Sequence, residues 1–531
     1  MTSDLETGEV SRSVELVGRV ASSGFTPGAK DIPLLLQLLA TAAEADAKHI
    51  MRALLRAGSA STDPLMRVIP DSVRPVRGLL TSLAGKLAEQ TSSTALKDLL
   101  LTLVNDADLK TQLNAITALG RLPGDDSEHA LLNILAQDSR PELVRAATRS
   151  LGKVGGEKAK AALAAREISK NEDVHQRAQL IIARELSRRE GGEVAAERPL
   201  AKTQTVGLSC RAGLEGLLAD EARAAGFNAV AITEPGLVTV QHDGPLTEFW
   251  QLRLALRISL PMPMRGGKHS DLIAALTSQT ALSLLRSLTN GPVRYRLDLP
   301  SASKAELWKL TQQLTTKCPD LVNDPTESVW EVGMRRVGPQ SYLELIPKNW
   351  VDPRFTYRLK DVPAASHPTI AAALARVAGV RADDCVWDPF VGSGSELIER
   401  YKLGPVAALY GTDLDPRALS AASANTAAAG CSELVTLAEA DSLTWNGPRP
   451  TLTITNPPMG RRVHRGSLHK LFEALIPKLA EHLAPGGRLV WLSPLPAETR
   501  VGLSALGLKL VFAQLVDMGG FQAELQRWEK P

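Results

Sequence analysis

The sequence predicts a multidomain chain: an N-terminal α-solenoid, a central α+β module, and a C-terminal α/β domain with a mostly parallel, Rossmann-like sheet. Three observations carry that expectation. A helical pattern near the front returns at steps of 36, 32 and 31 residues. A strand–helix–strand–strand run follows a polar linker. Finally, two loop motifs each follow an apolar, strand-like stretch. Asp388-Pro389-Phe390-Val391-Gly392-Ser393-Gly394 comes after Cys385-Val386-Trp387, and Thr455-Asn456-Pro457-Pro458-Met459-Gly460 comes after Thr451-Leu452-Thr453-Ile454. At 531 residues and 44% apolar content the chain has room for three or four domains, each with its own core.

The first region, residues 30–190, is helical. Leu119-Gly120 closes the stretch from Lys110 to Ala118, Leu151-Gly152 closes Glu142 to Ser150, and Ile182-Ala183 follows Val174 to Ile181, with Leu83-Ala84 as an earlier copy. Turn-formers at Pro123-Gly124-Asp125-Asp126 and Asp138-Ser139-Arg140-Pro141 separate the helices. Such a period means stacked helix pairs, each burying a face against the next. All eight tryptophans lie at or beyond Trp250 and all five tyrosines at or beyond Tyr295, which disfavours tetratricopeptide packing. The segment resembles short HEAT-like repeats, which implies either a docking surface for protein or RNA, or a passive spacer. Residues 1–29 are expected to be loosely ordered.

A polar stretch from Ser187 to Pro199 reads as a linker. Beyond it, residues 204–350 form the second region. Thr205–Ser209 reads as a strand, Leu214–Ala222 as a helix, and Ala229–Ile232 and Gly236–Val240 as strands, half of a ferredoxin-like unit. Strands are expected again at Val293–Leu299, Trp330–Met334 and Tyr342–Ile346, with an amphipathic helix from Lys304 to Thr316. The order and spacing resemble the ferredoxin-like plus THUMP module of RNA-modifying enzymes. Arg265, Lys268, His269, Arg294, Arg296, Arg335 and Arg336 are the residues that would serve RNA there. The competing reading of each is an ordinary surface charge.

Residues 351–531 alternate strands and helices, ending in a hairpin that turns near Met518-Gly519-Gly520. Ligands of such sheets collect at the carboxyl ends of the strands, where both loop motifs fall. Gly392 and Gly394 permit close backbone approach, and the helix after them presents free N–H groups. S-adenosylmethionine, a nucleoside joined to an amino acid, needs such a bend, with Phe390 and Ser393 in the same loop. Asp388 is placed for its ammonium group. Asp413, 25 residues past Asp388 at the next strand's end, suits the ribose hydroxyls better than Asp415 does. Asp441-Ser442 suits the adenine amine, or is an ordinary turn. In Asn456-Pro457-Pro458, the Asn456 oxygen and the Pro457 carbonyl are suited to accept the hydrogens of a flat exocyclic amine. That would localise its lone pair toward a methyl donor. The basic run with Arg461, Arg462, Arg465 and Lys470 adjoins this motif, a place for phosphates beside an extruded nucleotide or simply a solvated loop.

These residues, with Tyr357-Arg358, the run Ser366-His367-Pro368-Thr369-Ile370-Ala371 and Gly411-Thr412-Asp413-Leu414-Asp415-Pro416, resemble those of the THUMP-containing class I RNA guanine-N2 methyltransferases. The resemblance covers residues 205–531 and leaves the helical front outside it. It implies S-adenosylmethionine as cofactor, a guanosine amine of tRNA or rRNA as acceptor, and Asn456, Pro457, Pro458 and Met459 as the catalytic loop. The family usually has an aromatic residue where this chain has Met459, and often a threonine where it has Ser395. Met459 puts the base pocket in doubt and keeps two rivals in view. One is a catalytically silent RNA-binding or assembly factor, and the other is methylation of DNA adenine or protein glutamine.

The remaining composition sets bounds. A net charge of +3 permits nucleic-acid binding without demanding it. No apolar run approaches the roughly 18–20 residues of a membrane span, and Met1 to Glu6 lack a secretory pattern. Cys210, Cys318, Cys385 and Cys431 are scattered, and the nine histidines form no pair at helical spacing. A cytoplasmic protein without metal or membrane contact is therefore expected.

Overall fold

The computed structural model describes residues 15–22, 24–138, 140–165, 172–363, 365–459 and 465–531. The chain divides into two compact units. One comprises residues 1–191 with 319–324, and the other comprises 192–318 with 325–531. Among the described residues, no helix is long and apolar enough to cross a membrane.

The first unit is a stack of helix pairs. Arg74–Thr91, Leu109–Leu119, Pro141–Val154 and Glu172–Arg189 pack in succession, and Thr94–Leu103, Asp125–Gln137 and Glu157–Ala165 form the other layer. Leu83, Leu119, Leu151 and Ile182, the repeating positions of the sequence, are all fully buried. Small residues beside them set the spacing: a Cβ at Gly120 would lie 2.7 Å from Ser150 Cβ, and one at Gly152 3.0 Å from Ala178 Cα. Caps start the helices where the sequence places short polar residues. Ser93 Oγ accepts the Leu96 N–H, and Asp108 Oδ2 accepts that of Thr111. Glu128 reaches across to the next pair, its Oε1 accepting the N–H groups of Gly156 and Ala159.

Two expectations need correction here. Residues 15–20, expected to be loose, are helical, because Leu16 and Val20 find apolar neighbours and are buried in this core; residues 1–14 lie outside the described residues. The linker also begins later than its polarity suggests. Ser187, Arg188 and Arg189 belong to the last helix, where Arg188 clamps the Asp324 carboxylate at 2.7 Å through two nitrogens. The helix gives way at Gly191 and Gly192, both at positive φ.

Among its described residues the second unit holds two large sheets and a two-stranded ribbon, Glu193–Val194 with Thr289–Asn290. In the first, β1 (Gln204–Ser209), α1 (Glu215–Ala224), β2 (Asn228–Glu234) and β3 (Leu237–His242) follow the expected order, and β4 (Arg257–Met264) comes next. Two helices, α2 (His269–Leu276) and α3 (Gln279–Ser287), lead to β5 (Val293–Asp298), α4 (Lys304–Lys317), β6 (Trp330–Val337) and β7 (Gln340–Pro347). The strands run β2-β3-β1-β4-β7-β6-β5. Pro261 and Pro263 hide β4 from sequence reading, since proline normally argues against a strand interior. The strand tolerates them because residues 257–259 pair with β1 while 260–264 pair with β7, leaving the prolines bonded along one side only.

The second sheet is seven-stranded. It contains β8 (Cys385–Asp388), β9 (Ala408–Asp413), β10 (Val435–Glu439), β11 (Leu452–Thr455), β12 (Arg488–Ser493) and the closing hairpin β13 (Lys509–Asp517) and β14 (Gln522–Glu529). Helices α5 (Pro368–Ala378), α6 (Ser395–Leu403), α7 (Pro416–Ala428), α8 (Arg465–His482) and α9 (Pro496–Ala505) alternate with them. The order is β10-β9-β8-β11-β12-β14-β13, parallel except for the last hairpin. Strands β11 and β12 are buried at every position, as a sheet covered on both faces requires. At the amino end of β8, Asp384 joins two arginines that are themselves buried, Arg400 at 2.8 Å and Arg488 at 2.7 Å.

The two sheets of this unit are joined by charge as well as by chain. Arg253, from the loop before β4, holds Glu399 of α6 at 2.5 and 2.7 Å, and Glu399 also accepts the Tyr357 hydroxyl at 2.6 Å. Glu221 of α1 takes Arg376 of α5 at 2.8 Å. Both sheets belong to one compact unit.

Candidate active site

Strand order decides where the two motifs meet. β8 lies between β9 and β11, all three parallel, so the loops after Asp388, Asp413 and Thr455 emerge side by side at the carboxyl edge. The contact is direct: Thr455 Oγ1 donates to Asp388 Oδ1 at 2.7 Å. The glycine loop turns at Gly392 (φ 50°) and Gly394 (φ 82°), and Gly394 caps α6 in the left-handed conformation that glycine adopts without strain. Its base is held by Asn425 of α7, whose amide donates to the carbonyls of Ser393 and Lys360 at 2.9 and 2.8 Å.

Three carboxylates surround this loop. Asp388 is completely buried; its Oδ1 also accepts the Phe390 N–H at 3.1 Å, while its Oδ2 has no partner. Asp413 accepts the Gly392 N–H at 3.0 Å on one oxygen and the Asp415 N–H at 3.0 Å on the other. Glu396, in the first turn of α6, is also buried. Burial, and then the neighbouring Glu396 charge, push the Asp388 carboxyl well above the usual range. Burial raises Glu396 too, against the opposing hydrogen bond from Ser366. None of the three forms an ion pair among the described residues. For want of a counter-charge, the loop thus holds carboxyls pushed toward protonation and an unsatisfied buried acceptor, both of which a cationic ligand would relieve. Beside it lies a cleft of about 530 Å³ lined by Lys360, Val362, Pro363, Asp415, Pro416 and Ser420. Val362 Cγ2 stands 4.0 Å from where a Gly392 Cβ would be, so cleft and loop share a wall. The rim carries both signs, Asp361 and Asp415 with Lys360 and Arg417, and the size fits a nucleoside.

Asn456 follows Thr455 into the same edge. Its Nδ2 donates to Ser366 Oγ at 2.8 Å, and its Oδ1 is buried without a partner. Ser366 in turn donates to Glu396 Oε1. Arg358 donates to the Ser366 carbonyl at 3.0 Å, a second hold on that residue. Burial, with Arg211, Arg358 and Arg354 nearby, lowers the His367 imidazole, which stays neutral and accepts the Thr369 N–H as the cap of α5. Pro457 is buried, and Pro458 and Met459 are half-buried.

The other expected residues divide. Asp415 caps α7 through the Arg417 N–H at 2.9 Å and pairs with the Arg417 side chain. Asp441 Oδ1 accepts the Leu443 N–H at 2.9 Å, a turn role, and Ser442 is buried behind it. The Ser393 hydroxyl pairs with Ser395 at 3.1 Å, and Phe390 packs against the Trp387 cluster. Arg461 and Arg462 lie outside the described residues, as does the Arg465 side chain; Lys470 is exposed on α8. In the first sheet several of the arginines are engaged within the protein. Arg296 pairs with Glu331 at 2.9 Å, Arg335 with Glu234 at 2.9 Å and Glu344 at 3.0 Å, and Arg294 is buried against the Glu327 carbonyl. Arg265, Lys268 and Arg336 remain exposed.

Sequence reasoning missed Ser366 and Glu396 as site residues. Ser366 stood in a run noted only for its resemblance. Glu396 opens the helix after the glycine bend without a motif of its own, and no spacing rule brings positions 366, 396 and 456 together.

A parallel sheet with this order, and a glycine bend and acid at its carboxyl edge, belongs to the doubly wound class that holds nucleotide-like cofactors. Comparison with known proteins narrows the class. A family described as RMKL-like, methyltransferase domain, matches residues 356–501, and HEAT repeats match residues 96–183. The chain is similar to the tRNA (guanine(6)-N2)-methyltransferase of Thermus thermophilus, 37% identical over 157 residues. That match covers 29% of this chain and 46% of the relative, so it spans about half the relative's length. In structure the chain is similar to TrmN from Thermus thermophilus, with a TM-score of 0.51 and 24% identity, over 62% of this chain and 100% of that one. The chain thus combines an N-terminal helical region of HEAT repeats with a C-terminal methyltransferase-like α/β fold.

Proposed function

We propose that this protein is an S-adenosylmethionine-dependent RNA methyltransferase acting on the exocyclic N2 amine of a guanosine, with tRNA as the favoured substrate. The observation that carries the reading is the buried, unpartnered Oδ1 of Asn456, beside a glycine loop whose carboxylates lack counter-charge. The match to a tRNA guanine-N2 enzyme supports that acceptor over DNA adenine or protein glutamine.

S-adenosylmethionine supplies an electrophilic methyl group on a cationic sulfur. In this reading Asp388 takes the ammonium group with its free Oδ2, and Asp413 takes the ribose hydroxyls through lone pairs left over from its backbone bonds. Gly392 and Gly394 give the backbone approach, with Phe390, Ser393 and Asp415 shaping the loop and its rim. Asp441 and Ser442 close the adenine side. Asn456 Oδ1 and the Pro457 carbonyl accept the two amine hydrogens, so the nitrogen lone pair turns from the ring toward the methyl. As the methyl's bond to sulfur breaks, the cofactor would leave as the neutral thioether; the alkylated nitrogen becomes acidic and loses its proton to water, so no strong base is required. Pro458 stiffens the loop, and Met459 packs on the base as a polarisable, flexible surface. Arg461, Arg462, Arg465 and Lys470 would hold flanking phosphates. Orientation supplies most of the acceleration.

In the same reading residues 204–350 are a ferredoxin-like plus THUMP-like RNA-binding module and residues 351–531 the catalytic domain of a cytoplasmic enzyme. The structural likeness over 62% of the chain, more than the α/β part alone occupies, supports counting the two together. The HEAT repeats would serve as a docking surface for a protein partner. The test is to incubate purified protein with unmodified tRNA and methyl-labelled cofactor, digest the RNA and analyse its nucleosides by mass spectrometry. N2-methylguanosine is expected. Cofactor binding with transfer to no RNA, tRNA or rRNA, would favour the silent-factor reading instead.

A further inference from the structure

We infer that Ser366 and Glu396 are positioning residues that fix which way the Asn456 amide faces. The inference rests on the proposed amine-methyl transfer and adds a device to it. An asparagine side chain has a donor end and an acceptor end of nearly the same shape, so shape alone leaves it free to face either way. In the proposed chemistry only one orientation works, because the acceptor must face the amine.

The hydrogen-bond directions in the site remove the choice. Ser366 Oγ has a single proton, and it is donated to Glu396 Oε1. What remains on that oxygen is acceptor capacity alone. Asn456 must therefore present its NH₂ to Ser366, as it does at 2.8 Å, and its Oδ1 is turned to the other side, where it is buried and unpaired. The carboxylate sets the serine, and the serine sets the amide. Ser366 is itself held through its carbonyl by Arg358 at 3.0 Å. Arg358 is anchored on Asp361 at 2.6 Å. Glu396 sits in the first turn of the helix capped by Gly394, so the relay starts on the cofactor loop and ends on the acceptor loop.

The logic also fixes what a broken relay does. Without a carboxylate at position 396, the serine proton is free to go to Asn456 Oδ1, which rotates the amide and occupies the acceptor the amine needs. Without the Ser366 hydroxyl, the amide loses its anchor. In both cases the cofactor loop's own contacts through Asp388 and Asp413 remain.

Two measurements test this. In protein labelled with ¹⁵N-asparagine, the Asn456 side-chain amide (assigned by its loss in Asn456→Asp) should exchange slowly with solvent in the wild type. It should exchange as fast as exposed asparagines in Ser366→Ala. Fast exchange in the wild type overturns the inference without recourse to any variant. In single-turnover transfer at saturating cofactor, Ser366→Ala should lose about tenfold or more in rate, while Ser366→Thr, which keeps the hydroxyl, should stay within about twofold. The cofactor Kd should be unchanged in both. A wild-type rate in Ser366→Ala overturns the inference. So does an equal loss in Ser366→Thr, since that loss tracks packing and not the hydroxyl. A wild type that transfers to no RNA but protects the Asn456 amide sinks the functional reading and leaves the relay standing.

Discussion

Replacing Asp388 with asparagine should move stability and cofactor binding in opposite directions. In the structure Asp388 Oδ1 has two donors, Phe390 N–H and Thr455 Oγ1, which an asparagine oxygen keeps. Oδ2 is buried with none, and Glu396 stands near as a second buried carboxylate. The neutral amide removes a buried charge and its repulsion with Glu396 while leaving its own N–H groups to find an acceptor, so Asp388→Asn should stabilise the cofactor-free protein at neutral pH by about 1 kcal/mol. A charge-assisted hydrogen bond to the ammonium group is worth about 1.5–3 kcal/mol, so affinity should fall roughly ten- to a hundredfold. The pH dependence has a definite sign. A carboxyl raised in the folded state binds more protons there than when unfolded, so its contribution is complete below the unfolded value near 3.9. It is lost as pH rises through the folded value. The cofactor-free wild type should therefore lose stability as pH rises from about 4, and Asp388→Asn should lose less. Urea unfolding across that range, with calorimetry for S-adenosylmethionine, reads both effects. A variant that is less stable yet binds the cofactor normally would show that Asp388 serves the fold alone.

Three further outcomes follow from other parts of the unit. Asn456→Ala should bind S-adenosylmethionine as the wild type does while transfer falls a hundredfold or more, on the order of a one-ångström misplacement at a reacting centre; retained turnover in that variant would remove Asn456 from the mechanism. Asp384→Asn should cost about 3–5 kcal/mol in urea unfolding, because Arg400 and Arg488 would keep two buried charges without a partner. Burial works to raise Asp384, and hydrogen bonds from both arginines outweigh it and leave it below its usual value. Its contribution is thus present above about pH 4 and lost as pH falls further, so a wild type with no such acid loss would contradict the sign. Met459→Tyr should lower the KM for RNA by several-fold without changing cofactor affinity, since an aromatic ring stacks on a base with about 1–3 kcal/mol. An unchanged or higher KM would mean that the base does not pack at this position.

Much of this protein was legible from local pattern. The repeat landmarks at Leu119, Leu151 and Ile182 are core residues because helical period and burial are the same fact seen twice. The turn at Gly519-Gly520 and the strands before Asp388 and Asn456 lie where composition placed them. Strand β4 escaped because proline weighs against a strand unless half its pairing is missing, and pairing belongs to the sheet, not to the segment. The intramolecular partners of Arg294, Arg296 and Arg335 were not legible, because sequence reports a charge and not its partner.

What the chain alone determined is the set of elements and the chemistry carried at their ends, since periodicity, turn residues and motif composition act over a few neighbours. Only the tertiary structure decided which ends share an edge and which way a side chain faces. Placing β8 between β9 and β11 brought Asp388, Asp413 and Thr455 together. The strap before α5 then laid Ser366 between Glu396 and Asn456. Those contacts join residues far apart in the chain, and hydrogen-bond direction is a property of three groups held at once, which no local spacing encodes.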